Sequence, residues 1–153
     1  MKKNMKTKDK PKIKIVTVNR KARYDYDIID TWEAGLKLQG LEVKALRDNL
    51  VSISESWVNV EKGKALLIGA SINPKSIHKW QEYNPTRKRI LLLHKREIIK
   101  LEQISQKGLT IVPLKIYFNE RGLAKLQIAT ARGRKKHDKR RAMQERDQKR
   151  YGY

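Results

Sequence analysis

The side chains of this sequence that could carry out chemistry form a short list. There are three histidines, His78, His94 and His137, and no cysteine. No pair of histidines has HExxH or His-x-His spacing, so no metal site is expected. The missing cysteine removes a disulfide framework, a thiolate zinc site and a cysteine nucleophile together. His137-Asp138 is an adjacent pair, but its basic segment lacks the rigid scaffold a catalytic dyad needs. Ser54 and Ser56 have no histidine near them in sequence. Neither G-x-x-x-x-G-K-[ST] nor G-x-G-x-x-G occurs, which removes the common phosphate cradles. Asp25, Asp27 and Asp30 could suggest cation ligands, but their alternation is that of a solvated strand face. The groups for acid–base or nucleophilic catalysis are not assembled, no cofactor is implied, and the chain reads as a binder rather than an enzyme.

Cationic charge is what the chain has in abundance. Its 153 residues hold 37 Lys and Arg against 16 Asp and Glu, a net charge of +21. Residues 1–12 carry net +5, residues 131–153 carry +7, and residues 13–130 hold the remaining +9 together with nearly all of the apolar side chains. This reads as a basic arm (1–12), a globular body (13–130) and a basic tail (131–153). The two ends have too few apolar residues to offset the entropy of ordering, so both are expected to be disordered when free. A body that is itself basic, flanked by two basic arms, suits a polyanion held at several points. The lysine-rich N-terminus has no apolar stretch behind it, and runs such as Ile90-Leu91-Leu92-Leu93 are too short to span a bilayer. A soluble, cytoplasmic protein that meets no membrane is expected.

The body must supply the scaffold. Residues 13–18 and 24–34 alternate as strands. From Leu36 the rhythm becomes helical, with Leu38, Leu41 and Ala45 on one stripe and a stop near Asp48-Asn49. Residues 53–60 and 64–72 flank Glu61-Lys62-Gly63, a hairpin turn with Gly where a positive φ is expected. Pro74 and Pro85 bracket an irregular loop holding His78, Trp80 and Tyr83. A short strand at Ile90–Leu93 leads into a helix over 95–107 that stops at Gly108. A last hairpin joins 109–118 to 123–131, with Leu114, Ile116 and Phe118 on one face and Lys115 and Tyr117 on the other. About six short strands and two helices predict a mainly β fold, a small antiparallel oligonucleotide-binding-type (OB-like) barrel, since closure removes exposed edges.

Several segments, in order from about residue 13 to residue 150, resemble one family. They are Asn19-Arg20-Lys21-Ala22-Arg23-Tyr24, Glu33-Ala34-Gly35-Leu36-Lys37-Leu38-Gln39-Gly40-Leu41-Glu42-Val43-Lys44, Pro85-Thr86-Arg87-Lys88-Arg89-Ile90-Leu91-Leu92-Leu93 and Gly133-Arg134-Lys135-Lys136-His137-Asp138-Lys139-Arg140. The pattern E-A-G-x-x-L-Q-G-x-E-V-K together with K-K-x-D-K-R is similar to that of the SsrA-binding proteins, the SmpB family. The resemblance implies an OB-like barrel that binds the tRNA-like domain of transfer-messenger RNA and delivers it to stalled ribosomes for trans-translation. It also implies a tail that becomes helical in the empty mRNA channel, near the 16S rRNA decoding centre. A monomer is expected. Only 13 residues follow Arg140, fewer than the family pattern leads one to expect.

On the body, the residues so marked for RNA binding are Asn19, Lys21, Arg23, Tyr24, Glu33, Gln39, Gly40, Glu42, Lys44, Leu92, His94 and Lys125. Lys21 and Arg23 bring charge beside Tyr24, which either stacks on a base or half-buries in a strand. Glu33 is an acid in a basic binder; a carboxylate can accept from a base amino group or hold an arginine. Gly40 either lets an RNA backbone approach or serves tight helix packing, and Glu42 and Lys44 follow on the polar side. If His94 opens the second helix, Glu97 stands where a capping-box acid belongs. Lys115, Tyr117 and Lys125 lie on the outer face of the last hairpin, where a solvated charge is the ordinary reading. In the tail, Lys135, Lys136, His137, Asp138, Lys139 and Arg140 are expected to contact the ribosome. A helix there would gather Lys135, Lys136, Lys139 and Arg140 on one broad face.

Overall fold

The computed structural model describes residues 13–77 and 82–134. The expectations for the arm 1–12, for His78 and Trp80, and for Lys135, Lys136, His137, Asp138, Lys139 and Arg140 therefore lie outside the described residues. In chain order the elements are β1 (Lys14–Val18), α1 (Arg20–Asp25), β2 (Tyr26–Leu36), α2 (Gly40–Arg47), β3 (Val51–Ser52), β4 (Trp57–Glu61) and β5 (Lys64–Ile68). There follow β6 (Ser71–Ile72), β7 (Arg89–Leu92), α3 (Lys95–Gln106), β8 (Thr110–Phe118) and β9 (Ala124–Gly133).

All strand pairings are antiparallel. The main sheet runs β1-β8-β4-β5-β7-β2-β9, and β9 returns to β8, which curls the sheet into a ring. The join between β4 and β8 is slender, a single register pair of Val58 with Ile111. β3 and β6 form a separate two-stranded ladder. This is the mainly β, OB-like barrel that the strand pattern predicts. Alternation does the filling: Ala34, Leu36, Val58, Leu67, Leu91, Ile116, Leu126 and Ile128 turn inward, and α2 and α3 contribute Ala45, Leu46 and Leu101. Leu46, Leu101, Ile116, Leu126 and Ile128 are fully buried, each worth roughly 1.5–3 kcal/mol of transfer free energy.

Four local readings need correction. The strand expected over 24–34 starts at Tyr26, because residues 20–25 form α1 instead. The strand expected from Ile53 starts at Trp57; the Ser56 hydroxyl donates to Ile53 O (2.6 Å) and closes a turn first. β9 reaches Gly133, and Ala131 is buried, so the sheet continues past residue 130. Finally, Leu114 does not share a face with Ile116 and Phe118. Pro113 pairs with Ile128 but Lys115 pairs with Gln127, so one extra residue sits in β8 and reverses the side-chain alternation. Leu114 and Val112 thus leave the main core and form a second small cluster with Ala22, Ala129 and Ala131 beneath α1. The tight turn between β4 and β5 matches expectation, with Lys62 and Gly63 both at positive φ.

Candidate nucleic-acid interface

The bulge in β8 explains how α1 is held. Asn19 donates its backbone N–H to Leu114 O (2.7 Å) and its side-chain Nδ2 to Pro113 O (2.9 Å) and Ile53 O (3.4 Å). Its Oδ1 accepts from Ala22 N (3.3 Å), which caps α1. Proline has no N–H for the ladder and tolerates the bulge, and its free carbonyl receives Asn19. Asn19 is only 5% exposed, so it pins the helix and is not an open contact. The same helix presents Lys21 and Arg23 to solvent, with Tyr24 half-buried beside them. Lys21 bridges to Glu55 at 3.0 Å, and that hydrogen bond and charge raise its ammonium above the ordinary lysine range.

The second group stands on the outer face of the sheet toward the far end of β2. Here Gly35 pairs with Leu92 of β7 on one side and Lys125 of β9 on the other, and Glu33 pairs with Gln127. Side chains at every second position share a face, so Glu33 and Lys125 are diagonal neighbours, and Tyr117 lies opposite Lys125 on β8. A Cβ at Gly35 would come within 3.2 Å of Leu92 Cβ, so the leucine lies over the glycine while staying 56% exposed. His94 follows β7 and caps α3; its backbone N–H donates to Glu97 Oε1 (2.9 Å), the acid half of the expected capping box. His94 is exposed. Burial, and then the Glu33 carboxylate beside it, push the Tyr117 hydroxyl far above the usual phenol range, so it stays protonated.

Gln39 and Gly40 follow the end of β2 and open α2. Gly40 is the first helical residue rather than an interruption of the helix. A Cβ there would meet nothing within 4 Å, so tight helix packing does not account for the glycine. Lys44 is exposed one turn later.

Glu42 does not face solvent as expected; it is fully buried. Its carboxylate is the hub of an ion-pair network. Arg89 donates Nε (3.0 Å) and Nη2 (2.8 Å) to Oε2, and Arg87 donates Nε to Oε2 (3.1 Å) and Nη2 to Oε1. Gln39 N–H donates to Oε1 (2.8 Å), and the Tyr83 hydroxyl lies 3.2 Å from Oε2. Arg89 is itself fully buried and donates to Ala70 O (2.8 Å) and Pro85 O (2.9 Å). Burial alone would raise the Glu42 carboxyl, but hydrogen bonds from Arg87, Gln39 and Arg89 outweigh it and hold the group below the usual carboxylate range. Burial, with Glu42 alongside, raises Tyr83. Glu42 therefore latches α2 to the strands behind it. The sequence reading gave Arg87, Arg89 and Tyr83 no structural part, though a signal existed: Glu42, Ala45 and Leu46 stand at i, i+3 and i+4, one inward stripe.

Among the described residues no group of three or more His, Cys, Asp or Glu is placed to hold a metal ion. None of the described helices is long and apolar enough to cross a membrane. An OB-like barrel that gathers cations and exposed apolar side chains around the Glu33 carboxylate on its outer face defines a polyanion-binding module. The family model described as SmpB protein matches residues 16–152. The SsrA-binding protein of Bartonella henselae is 48% identical over 143 residues, covering 93% of this chain and 90% of that one. The SsrA-binding protein of Chlorobaculum tepidum is 45% identical over 146 residues, covering 95% and 93%. A solved structure described as "tmRNA-SmpB: a journey to the center of the bacterial ribosome" contains a chain 45% identical. It superposes with a TM-score of 0.65 over 83% of this chain and 93% of that chain. The chain belongs to the SmpB family.

Proposed function

We propose that this protein binds the tRNA-like domain of transfer-messenger RNA and carries it to stalled ribosomes for trans-translation, as an RNA-binding protein of the cytoplasm without catalytic activity of its own. The observation that carries this reading is the family match across residues 16–152, with relatives named for binding SsrA. The chemistry of the body supports it. A folded tRNA-like elbow offers phosphates, 2′-hydroxyls and unstacked bases rather than a readable major groove. Exposed Glu33, Leu92 and His94 and half-buried Lys125 lie toward the far end of β2, exposed Gln39 and Gly40 open α2 just beyond it, and Lys21, Arg23 and Tyr24 stand on α1. Asn19 and Glu42 act by holding α1 and α2 in place, and Lys44 adds charge. In this reading the tail residues Lys135, Lys136, His137, Asp138, Lys139 and Arg140 enter the mRNA channel near the decoding centre of 16S rRNA. Tail and mRNA cannot occupy that channel together, so entry would test whether it is empty.

The test is a titration of the full-length protein, expected to act as a monomer, against the isolated tRNA-like domain with ordinary tRNA as competitor, at two salt concentrations. Preference for the tRNA-like domain that survives the higher salt is the expected result. Equal binding to both RNAs, collapsing as salt rises, would show charge alone at work and overturn the proposal.

A further inference from the structure

At the end of β2 opposite Glu33, a pocket of about 320 Å³ opens between α1, the segment that leads into β4, and the start of β8. Its lining is mainly polar, and its charged members are Asp25, Glu55 and Lys21. In a chain of net charge +21, two carboxylates against one ammonium make this an acidic spot. Lys21 takes Glu55 Oε1 at 3.0 Å, which leaves Oε2 with no ion pair among the described residues. Trp57 stands in the wall 46% exposed, a large aromatic face left uncovered. Its seat is built: a Cβ at Gly69, at φ +86°, would come within 2.7 Å of Glu55 O and 3.1 Å of the Trp57 ring, so only a glycine lets this segment lie so close.

The tail leaves the barrel at this pocket. Thr110 and Tyr26 both line it, and they pair in register with Ala131 and Gly133 of β9. The next residue, Arg134, donates its N–H to Asp25 O (2.9 Å) and sets its guanidinium 3.1 Å from Asp27. Residues 135–153 carry eight Lys and Arg against three acids, and begin with Lys135-Lys136. Two residues of extended chain span about 7 Å, so these two ammonium groups need no loop to reach the pocket.

We propose that this pocket docks the root of the chain's own tail, with Lys135 and Lys136 against the Glu55 and Asp25 carboxylates and the face of Trp57. A cation between a carboxylate and an aromatic face is stabilised by both. RNA is the poorer occupant, since its phosphates would meet the two acids. A tether this short sets an effective concentration on the order of millimolar or more, so a contact of modest strength is enough. The docked root withholds two cations from stray polyanions and yields them to a stronger one, which on the reading above is the lining of the mRNA channel. The docking itself needs no RNA and goes beyond that reading.

The test compares amide and indole N–H NMR spectra of the full-length protein, without RNA, before and after Lys135→Ala with Lys136→Ala. The amides of residues 54–57 and the Trp57 indole N–H are expected to shift, while those of Gly35, Leu92 and Lys125 stay in place. Glu55→Gln keeps the fold, because the side chain is 76% exposed. In that background the same two alanines should move the indole about threefold less, the weight of one partly exposed charge pair. A carbodiimide, which joins a carboxylate to a touching ammonium, is expected to link Lys135 or Lys136 to Glu55 or Asp25 within one chain. Resonances of 54–57 untouched by the alanines, or an indole shift that Glu55→Gln leaves unchanged, would overturn the proposal. So would links found only between two chains, which would assign the pocket to a second copy's tail. Neither measurement contains RNA, so failure here leaves the transfer-messenger RNA reading standing, and failure of that reading leaves the docking standing.

Discussion

Glu33→Ala and Glu42→Ala each remove a single carboxylate, and the structure assigns them opposite consequences. Glu42 and its partner Arg89 are both fully buried. Deleting the acid leaves a guanidinium in the interior with only the Ala70 and Pro85 carbonyls and the Tyr83 hydroxyl for company. Breaking a buried pair in this way costs about 3–5 kcal/mol. Loss of the Gln39 N–H bond at the start of α2 adds about 1 kcal/mol. A total near 4–6 kcal/mol is a large share of the roughly 5–15 kcal/mol that holds a domain together. With a urea slope of about 1–3 kcal/mol per molar, the midpoint should fall by roughly 1.3 M or more. Glu33 is exposed, so its removal should change stability by less than about 0.5 kcal/mol. RNA affinity should nevertheless drop, although the net charge becomes more positive. The assay pairs urea unfolding, followed by tryptophan fluorescence, with RNA titration in buffer where each variant remains folded. An unchanged midpoint for Glu42→Ala together with lost RNA affinity would refute the reasoning, because it would place Glu42 on the RNA and not inside the protein.

Four further outcomes follow from named contacts. Gly40→Ala puts a Cβ into open space at a helix start, so stability should hold or rise by up to about 1 kcal/mol while RNA affinity falls; denaturation beside titration separates the two. Asn19→Ala removes the α1 cap and the bonds to Pro113 and Ile53, and should cost about 2–3 kcal/mol in a urea titration. Glu42, held below its ordinary range, binds its proton less readily folded than unfolded, so its contribution is complete above the unfolded value of about 4.3 and is lost as pH falls through the folded value. Urea midpoints should therefore drop below about pH 4, with that part of the drop missing in Glu42→Gln. Truncation after Arg134 should leave RNA affinity largely intact while abolishing tagging of stalled peptides; cutting at residue 130 instead would remove buried Ala131 and loosen the barrel.

The barrel was legible because its signals are local and periodic. Inward residues of β2, β8 and β9 alternate, and α3 shows its stripe of Ile98, Leu101 and Ile104 without help. The bulge at Pro113–Lys115 was not legible, since one inserted residue leaves alternation intact on either side and only the partner strand reveals the slip. α1 was missed for a related reason. Six residues are too few for a helix to stand on its own, and this one exists because Asn19 reaches a carbonyl 94 positions away. Glu42 was misplaced because acids are almost never fully buried unless paired. Its partners Arg87 and Arg89, more than 40 residues on, look in sequence like part of an RNA-binding run. Charge by itself does not tell an interior cation from a phosphate contact; the apolar company on the same helical face does.

β2 links the two jobs that the proposed function requires. Its far end carries Glu33 and Gly35 beside Leu92 and Lys125. Its near end holds the root of the tail, where Arg134 N–H donates to Asp25 O (2.9 Å) and the Arg134 guanidinium meets Asp27 at 3.1 Å. Asp27 and Glu33 are separated by roughly 20 Å, at about 3.3 Å per residue along the strand. β9 pairs with β2 along this span, apart from a bulge between Ile28 and Asp30, so the ladder fixes that spacing whatever occupies either end. A variant that loosens Arg134 from Asp27 should accordingly leave the affinity of the Glu33 face unchanged and alter only what the tail does.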